Sequence, residues 1–228
     1  MKDKVVLVTG ASGGLGTYMV QAFLDAGAMV IGTSRRIKQS DFPSAQFTAL
    51  PGEISSFDAA NSLVKAVLDR FGRLDVLAHT VGGFAGGQSV AVTDVATFQR
   101  MFDLNVNSSF NILRATIPAL RKSGSGRIIA IGSRAAVEPG PGVGAYSASK
   151  AAMLSLMKTV ALENRDSGVT ANVILPGTMD TPANRMAMPG SDFSKWVNPA
   201  NVASLAVWLA SDAAQDVNGA AIPVYGNA

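Results

Sequence analysis

Lys4-Val5-Val6-Leu7-Val8-Thr9-Gly10-Ala11-Ser12-Gly13-Gly14-Leu15-Gly16 is the stretch that decides how this chain is read. It opens as an apolar, β-branched run, the composition of a buried strand. Glycines end that run. Leu15, Met19 and Phe23 then recur at i, i+4 and i+8, one face of a helix, and Gly27 supplies its stop. A strand, a glycine-rich turn and a helix in this order form a cradle for a dinucleotide pyrophosphate. Gly10 permits the tight turn, Gly14 lets the backbone approach the phosphates, and Gly16 lets the helix pack closely on the strand. The phosphates would meet the open N–H groups at the helix N-terminus. The predicted contacts in this loop are Gly10, Ser12, Gly14, Leu15 and Gly16.

Working outward, strand and helix patterns alternate. Met29-Val30-Ile31 reads as a second strand and Gln46–Leu50 as a weaker third. Phe57–Phe71 is an amphipathic helix and Leu74–Ala78 a fourth strand. Thr93–Arg121 is one long or broken helix, Arg127–Ile131 a fifth strand, and Ala145–Asn164 a helix with no internal Gly or Pro. Thr170–Leu175, a short helix Val202–Ala210 and a last strand Ala221–Val224 complete the series. Near-continuous apolar strands separated by helices imply a parallel sheet covered on both faces. The expected fold is α/β: a doubly wound Rossmann fold, with about seven parallel strands and the ligand at their carboxyl ends. With 228 residues and 48% apolar content, the chain suits a single domain over 1–228. It has no linker or repeat, and a short substrate loop over about 179–199.

Composition removes several function classes. There are no cysteines and one histidine, so thiolate metal sites are excluded and a catalytic zinc is not expected. The net charge of +3 comes with no clustered basic face, so nucleic acid is not an expected partner. Met1-Lys2-Asp3-Lys4 precedes an apolar run of only four residues, Val5 to Val8. No stretch approaches the ~18–20 apolar residues of a membrane helix. The expectation is a cytoplasmic protein without membrane attachment.

The densest basic cluster, Arg35-Arg36-Ile37-Lys38, has a specific place. A dinucleotide site that takes NAD carries an acidic residue at the end of strand two, for the ribose 2′-hydroxyl. Here strand two ends Gly32-Thr33-Ser34-Arg35-Arg36, with no carboxylate. Arg35 is placed to pair with a 2′-phosphate through its planar fork, and Ser12 can add a hydrogen bond. The expected cofactor is therefore NADP(H).

Tyr146-Ser147-Ala148-Ser149-Lys150 puts a phenol and an ammonium one helical turn apart. A cation nearby favours the phenolate, which brings a group of pKa near 10 toward use at neutral pH. Such a Tyr can give a proton to a carbonyl or take one from an alcohol. The preceding strand ends Ile131-Gly132-Ser133, where Ser133 can hydrogen-bond the same oxygen. Pro139–Gly144 between them reads as an active-site loop.

On these motifs the chain resembles the short-chain dehydrogenase/reductase family along essentially its whole length. Thr9-Gly10-x-x-x-Gly14-x-Gly16 is similar to the family's cofactor motif. Ser133, Tyr146 and Lys150 match its catalytic triad, and Asn105 its fourth catalytic residue. The resemblance implies that Ser133 orients the substrate carbonyl, Tyr146 is the acid–base, Lys150 also binds the nicotinamide ribose, and Asn105 holds a water in a proton relay. It adds Gly82, Pro176, Gly177 and Thr178 to the cofactor contacts. It also implies a homo-oligomer, a tetramer or alternatively a dimer, joined through Thr93–Arg121, the Tyr146 helix and the C-terminal strand. Two departures stand out: His79-Thr80-Val81-Gly82 replaces the family's Asn-Asn-Ala-Gly, and Glu53-Ile54 its Asp-Val. His79 reads as structural, nearer the adenosine half.

The substrate is expected to be a small carbonyl or alcohol, with Phe84, Met179, Met186, Met188 and Trp196 as candidate pocket residues. Val81–Gly87, Asp180–Arg185 and the later Met188-Pro189 and Asp192–Trp196 are similar to dihydropteridine reductase, so pterin reduction is a competing expectation. A non-catalytic NADP(H)-binding sensor is a third, which the presence of Asn105, Ser133, Tyr146 and Lys150 together disfavours.

Overall fold

A computed structural model describes residues 1–227; Ala228, the last position of the expected domain, lies outside the described residues. Seven strands form one sheet: β1 (Val5–Thr9), β2 (Met29–Thr33), β3 (Phe47–Ala49), β4 (Val76–His79), β5 (Arg127–Ile131), β6 (Thr170–Pro176) and β7 (Ala221–Val224). Their order is β3-β2-β1-β4-β5-β6-β7, and every neighbouring pair is parallel. β1 pairs with β2 on one side and β4 on the other. The chain winds outward from this point in both directions, which opens a crevice at the carboxyl ends of the strands.

Seven α-helices lie among the described residues: α1 (Gly16–Asp25), α2 (Phe57–Phe71), α3 (Val95–Phe102), α4 (Ser108–Ser123), α5 (Gly144–Glu163), α6 (Pro182–Ala187) and α7 (Pro199–Leu209); α1, α2, α4, α5 and α7 cover the sheet. Strand side chains alternate between two cores. Leu7, Leu77 and Ile128 point into one, built with residues of α2, α4 and α5. Val6, Val8, Ala78 and Ile129 point into the other, built with α1 and α7. Both faces of the sheet are thus covered, as the unbroken apolar strands require.

Thr93–Arg121, expected as one long or broken helix, is the broken form: α3 and α4 are joined by a π-helical turn, Asp103–Asn107, that buries Asn105. The helices depart from the expected pattern in two other places. α6 lies inside the expected substrate loop. Its signal is Thr181-Pro182, where the Thr hydroxyl accepts from Asn184 N at 3.3 Å and Pro occupies the first turn. α7 begins at Pro199 rather than Val202, because Asn198 caps it by accepting from Ala200 N at 2.9 Å. No helix among the described residues is long and apolar enough to cross a membrane, and no group of three or more His, Asp or Glu there could hold a metal.

Candidate active site

The loop after β1 turns as its glycines allow. Gly10 has φ +71°, and Gly13 N donates to Gly10 O at 2.8 Å. A Cβ on Gly16 would lie 2.0 Å from the Gly10 carbonyl oxygen, so only glycine fits there. A Cβ on Gly14 would lie 3.1 Å from Thr181 Cγ2, which places the substrate loop directly over the phosphate cradle. No side chain caps the N-terminus of α1. Those open N–H groups, the glycine floor and the cleft above fit a pyrophosphate.

A cleft of ≈ 640 Å³ runs from this loop along the carboxyl ends of the strands. Gly10, Gly14, Leu15 and Gly16 form one end of it. Gly82, Ser133, Tyr146, Lys150, Pro176, Gly177 and Thr178 line it as well. Three predicted residues lie outside the lining. Ser12 is on the rim, its Oγ 2.8 Å from Ser34 Oγ at the end of β2, and Arg35 follows it on the exposed surface. Asn105 is buried behind the wall. Its Oδ1 accepts from Gly83 N at 2.9 Å, and its Nδ2 donates to Gly83 O at 3.1 Å and to Ser149 Oγ at 2.9 Å. A Cβ on Gly82 would lie 2.7 Å from Asn105 Oδ1 and 3.1 Å from Lys150 Nζ, so Gly82 marks where these two groups converge.

Lys150 is buried and donates to Ile131 O at 2.9 Å. Burial disfavours its charge and brings its pKa down to about 8. The expected depression of the Tyr146 phenol is corrected here. Burial pushes it up, and the Ser133 hydroxyl, hydrogen-bonded to it, draws it partly back. Lys150 is not among the causes of that shift. Protein alone therefore holds Tyr146 as a proton-bearing acid rather than a phenolate.

His79 ends β4, is 3% exposed, and has its ring between Thr9 Oγ1 and Ser109 Oγ. Burial, with a smaller contribution from the Lys150 charge, keeps it neutral. Of the candidate pocket residues, Phe84, Met179 and Met188 line the cleft. Met186 is exposed, and Trp196 packs on Phe193 with ring centroids 4.7 Å apart. The Phe84 ring, largely exposed, stands edge-on to Tyr146 at 4.9 Å. Sequence reasoning missed Thr181, Arg134 and Glu138, which also reach the cleft. Arg134 and Glu138 form an ion pair of 2.7 Å, legible only as an i, i+4 pair.

The family model described as short chain dehydrogenase matches residues 4–191. A 2,5-dichloro-2,5-cyclohexadiene-1,4-diol dehydrogenase of Sphingobium indicum is 32% identical over 241 residues, covering 99% of this chain and 96% of that protein. A 2,3-dihydro-2,3-dihydroxybenzoate dehydrogenase of Escherichia coli is 31% identical over 232 residues, covering 94% and 92%. The crystal structure of gox2181 superposes with a TM-score of 0.89 at 24% identity, covering 99% of this chain and 95% of that one, which supports the fold.

Proposed function

The chain belongs to the short-chain dehydrogenases, oxidoreductases that use a nicotinamide cofactor, and on that premise we propose that it reduces a carbonyl, or oxidises the matching alcohol, with NADP(H). The observation that carries this reading is the meeting of Ser133, Tyr146 and Lys150 in the cleft that begins at the Gly10–Gly16 loop. The bound dinucleotide supplies or accepts the hydride. Gly10, Gly14, Leu15 and Gly16 hold its phosphates, and Thr178 and Lys150 its nicotinamide half. Tyr146, kept protonated by burial, gives its proton to the carbonyl oxygen as negative charge grows there. Ser133 donates a hydrogen bond to the same oxygen. The Lys150 cation stabilises the phenolate left behind.

Arg35 supports the phosphorylated cofactor, since strand two ends without a carboxylate. The apolar wall beside Tyr146, made by Phe84, Val143, Met179 and Met188, fits a cyclic substrate of low polarity. Two relatives are named for cyclohexadiene diols or their carboxylated kin, which supports the same class. A homo-oligomer, a tetramer by preference, is supported by the exposed Val90, Val95 and Phe98 around a hollow against α5.

The test is a turnover screen with NADPH and NADH against cyclohexanone, acetoacetate and quinonoid dihydropterin. Turnover of the cyclic ketone with NADPH is expected, and Arg35→Asp should reverse the cofactor order. Preference for the dihydropterin would move the substrate class to pterins. Equal use of both cofactors would remove the role of Arg35. Binding of NADPH without any turnover would leave a sensor.

A further inference from the structure

Five buried polar side chains form a line from β1 to α5. Thr9, one residue before Gly10, has its Oγ1 2.8 Å from His79 Nδ1. His79 Nε2 is 2.9 Å from Ser109 Oγ in α4. Ser109 donates to the Asn105 carbonyl at 2.7 Å. Asn105 Nδ2 donates to Ser149 Oγ at 2.9 Å, and Ser149 donates to the Tyr146 carbonyl at 2.7 Å. None of the five side chains belongs to a residue more than 3% exposed.

Counting protons fixes each direction. Ser109 has one proton, and the Asn105 carbonyl has none to offer, so that proton goes to Asn105. Toward His79, Ser109 must then accept, and Nε2 carries the hydrogen. A neutral imidazole has only one N–H, so Nδ1 is bare and Thr9 donates to it. Only one tautomer closes the line. With the other, two oxygens would face each other at 2.7 Å with no hydrogen between them.

We infer that His79, as its Nε2–H tautomer, is a positioning residue that ties the phosphate-loop end of β1 to Asn105 and, through Ser149, to the helical turn carrying Tyr146. It touches no reacting atom. It acts by holding the π-turn carbonyl of Asn105 and, with it, the amide that clamps Gly83 and Ser149. Burial and the Lys150 charge both keep His79 neutral, which the tautomer requires. The side chain's length is what matters. An Asn at this position places an amide oxygen near Nδ1 and reaches Thr9, but nothing stands where Nε2 does. A Gln can place its amide nitrogen there.

The kinetic part of this inference rests on Tyr146 being the acid–base group. The test compares His79→Asn, His79→Gln and Ser109→Ala. Cyclohexanone reduction gives kcat and KM, fluorescence titration gives NADPH affinity, and thermal melting gives stability. Displacing a reacting group by about 1 Å can cost about a hundredfold, and a smaller shift correspondingly less. His79→Asn and Ser109→Ala should therefore lower kcat about tenfold or more, with KM and NADPH affinity within about twofold. His79→Gln should recover most of kcat. Equal kcat for the Asn and Gln variants would reduce His79 to a bridge between β1 and β4, and overturn the inference. A readout free of substrate accompanies these. His79 is the only histidine, so ¹⁵N-histidine labelling gives one ring to observe. The native protein should show a protonated Nε2 and a bare Nδ1, and Ser109→Ala should shift Nε2. A protonated Nδ1 would overturn the inference even where the ketone is not turned over, whereas absence of turnover with the predicted tautomer intact would count against the proposed function alone.

Discussion

The two ends of the sheet both bury charge, and they treat it in opposite ways. At the amino ends, Asp75 is fully buried and saturated: it accepts from Val5 N at 2.8 Å and from Arg73 in a bidentate pair at 2.7–3.2 Å. Arg127, at the start of β5, gives one guanidinium nitrogen to three carbonyls, Ser125, Gly126 and Gly168, but its buried Nε has no partner among the described residues and burial lowers its pKa, so the saturated charge at this end is Asp75. At the carboxyl ends, Lys150 is equally buried, but a single neutral carbonyl receives it, and its pKa falls to about 8. Tyr146 is pushed up by the same burial. Charge that is saturated holds strands together. Charge left short of partners beside a cleft is held ready for chemistry.

This contrast breaks if the wrong end responds to mutation. Among the variants that test this contrast, the largest expected effect is at Lys150. Lys150→Met should cut turnover by about a hundredfold, since on the proposed function it removes the cation that stabilises the phenolate left when Tyr146 gives up its proton, and should weaken NADPH binding as well. Steady-state kinetics and fluorescence titration check both. Full activity in this variant would mean that the unsaturated charge is idle.

At the opposite end, Asp75→Ala should cost about 2–3 kcal/mol of stability, below the figure for a fully buried pair because Arg73 is half in water. Its turnover per folded molecule should equal that of the native protein. Urea unfolding and kinetics on the same sample decide this, and lost turnover without lost stability would erase the contrast.

The smallest effect is on the pH dependence of stability. Folded, His79 stays neutral until pH falls to about 3, whereas an unfolded imidazole takes its proton near 6.5. Between those values the unfolded chain binds the extra proton. Stability contributed by neutral His79 is therefore present above pH ~6.5 and is lost as pH falls toward 3. Melting temperatures from pH 7 to 5 should fall for the native chain and fall less for His79→Gln. Parallel slopes would show that His79 is not kept neutral.

Most of the fold was legible because its signals are local. The glycine run after β1, the apolar strands and the helical spacing around Tyr146 each fall within a short window. The π turn at Asp103–Asn107 was not, since no periodicity marks one extra residue in a helix that continues on both sides. That Ser133, Tyr146 and Lys150 share one cleft was legible because Tyr146 and Lys150 stand one helical turn apart and Ser133 ends the preceding strand. Ser109 and Ser149 were not, because serine in a helix carries no signal until its partner, Asn105 or Tyr146, is placed against it. The Tyr146 shift was misread for a physical reason. Spacing shows a cation one turn away, but not how much water burial has removed.

The central claim is that Tyr146 delivers the proton. Tyr146→Phe removes that proton and little else, so the measurement is single-turnover reduction of cyclohexanone by enzyme preloaded with NADPH, beside NADPH affinity by fluorescence. A loss of ~10²–10⁴ in the reduction rate with affinity nearly unchanged is predicted. A variant that keeps more than about a tenth of the native rate, well short of that loss, would contradict the account.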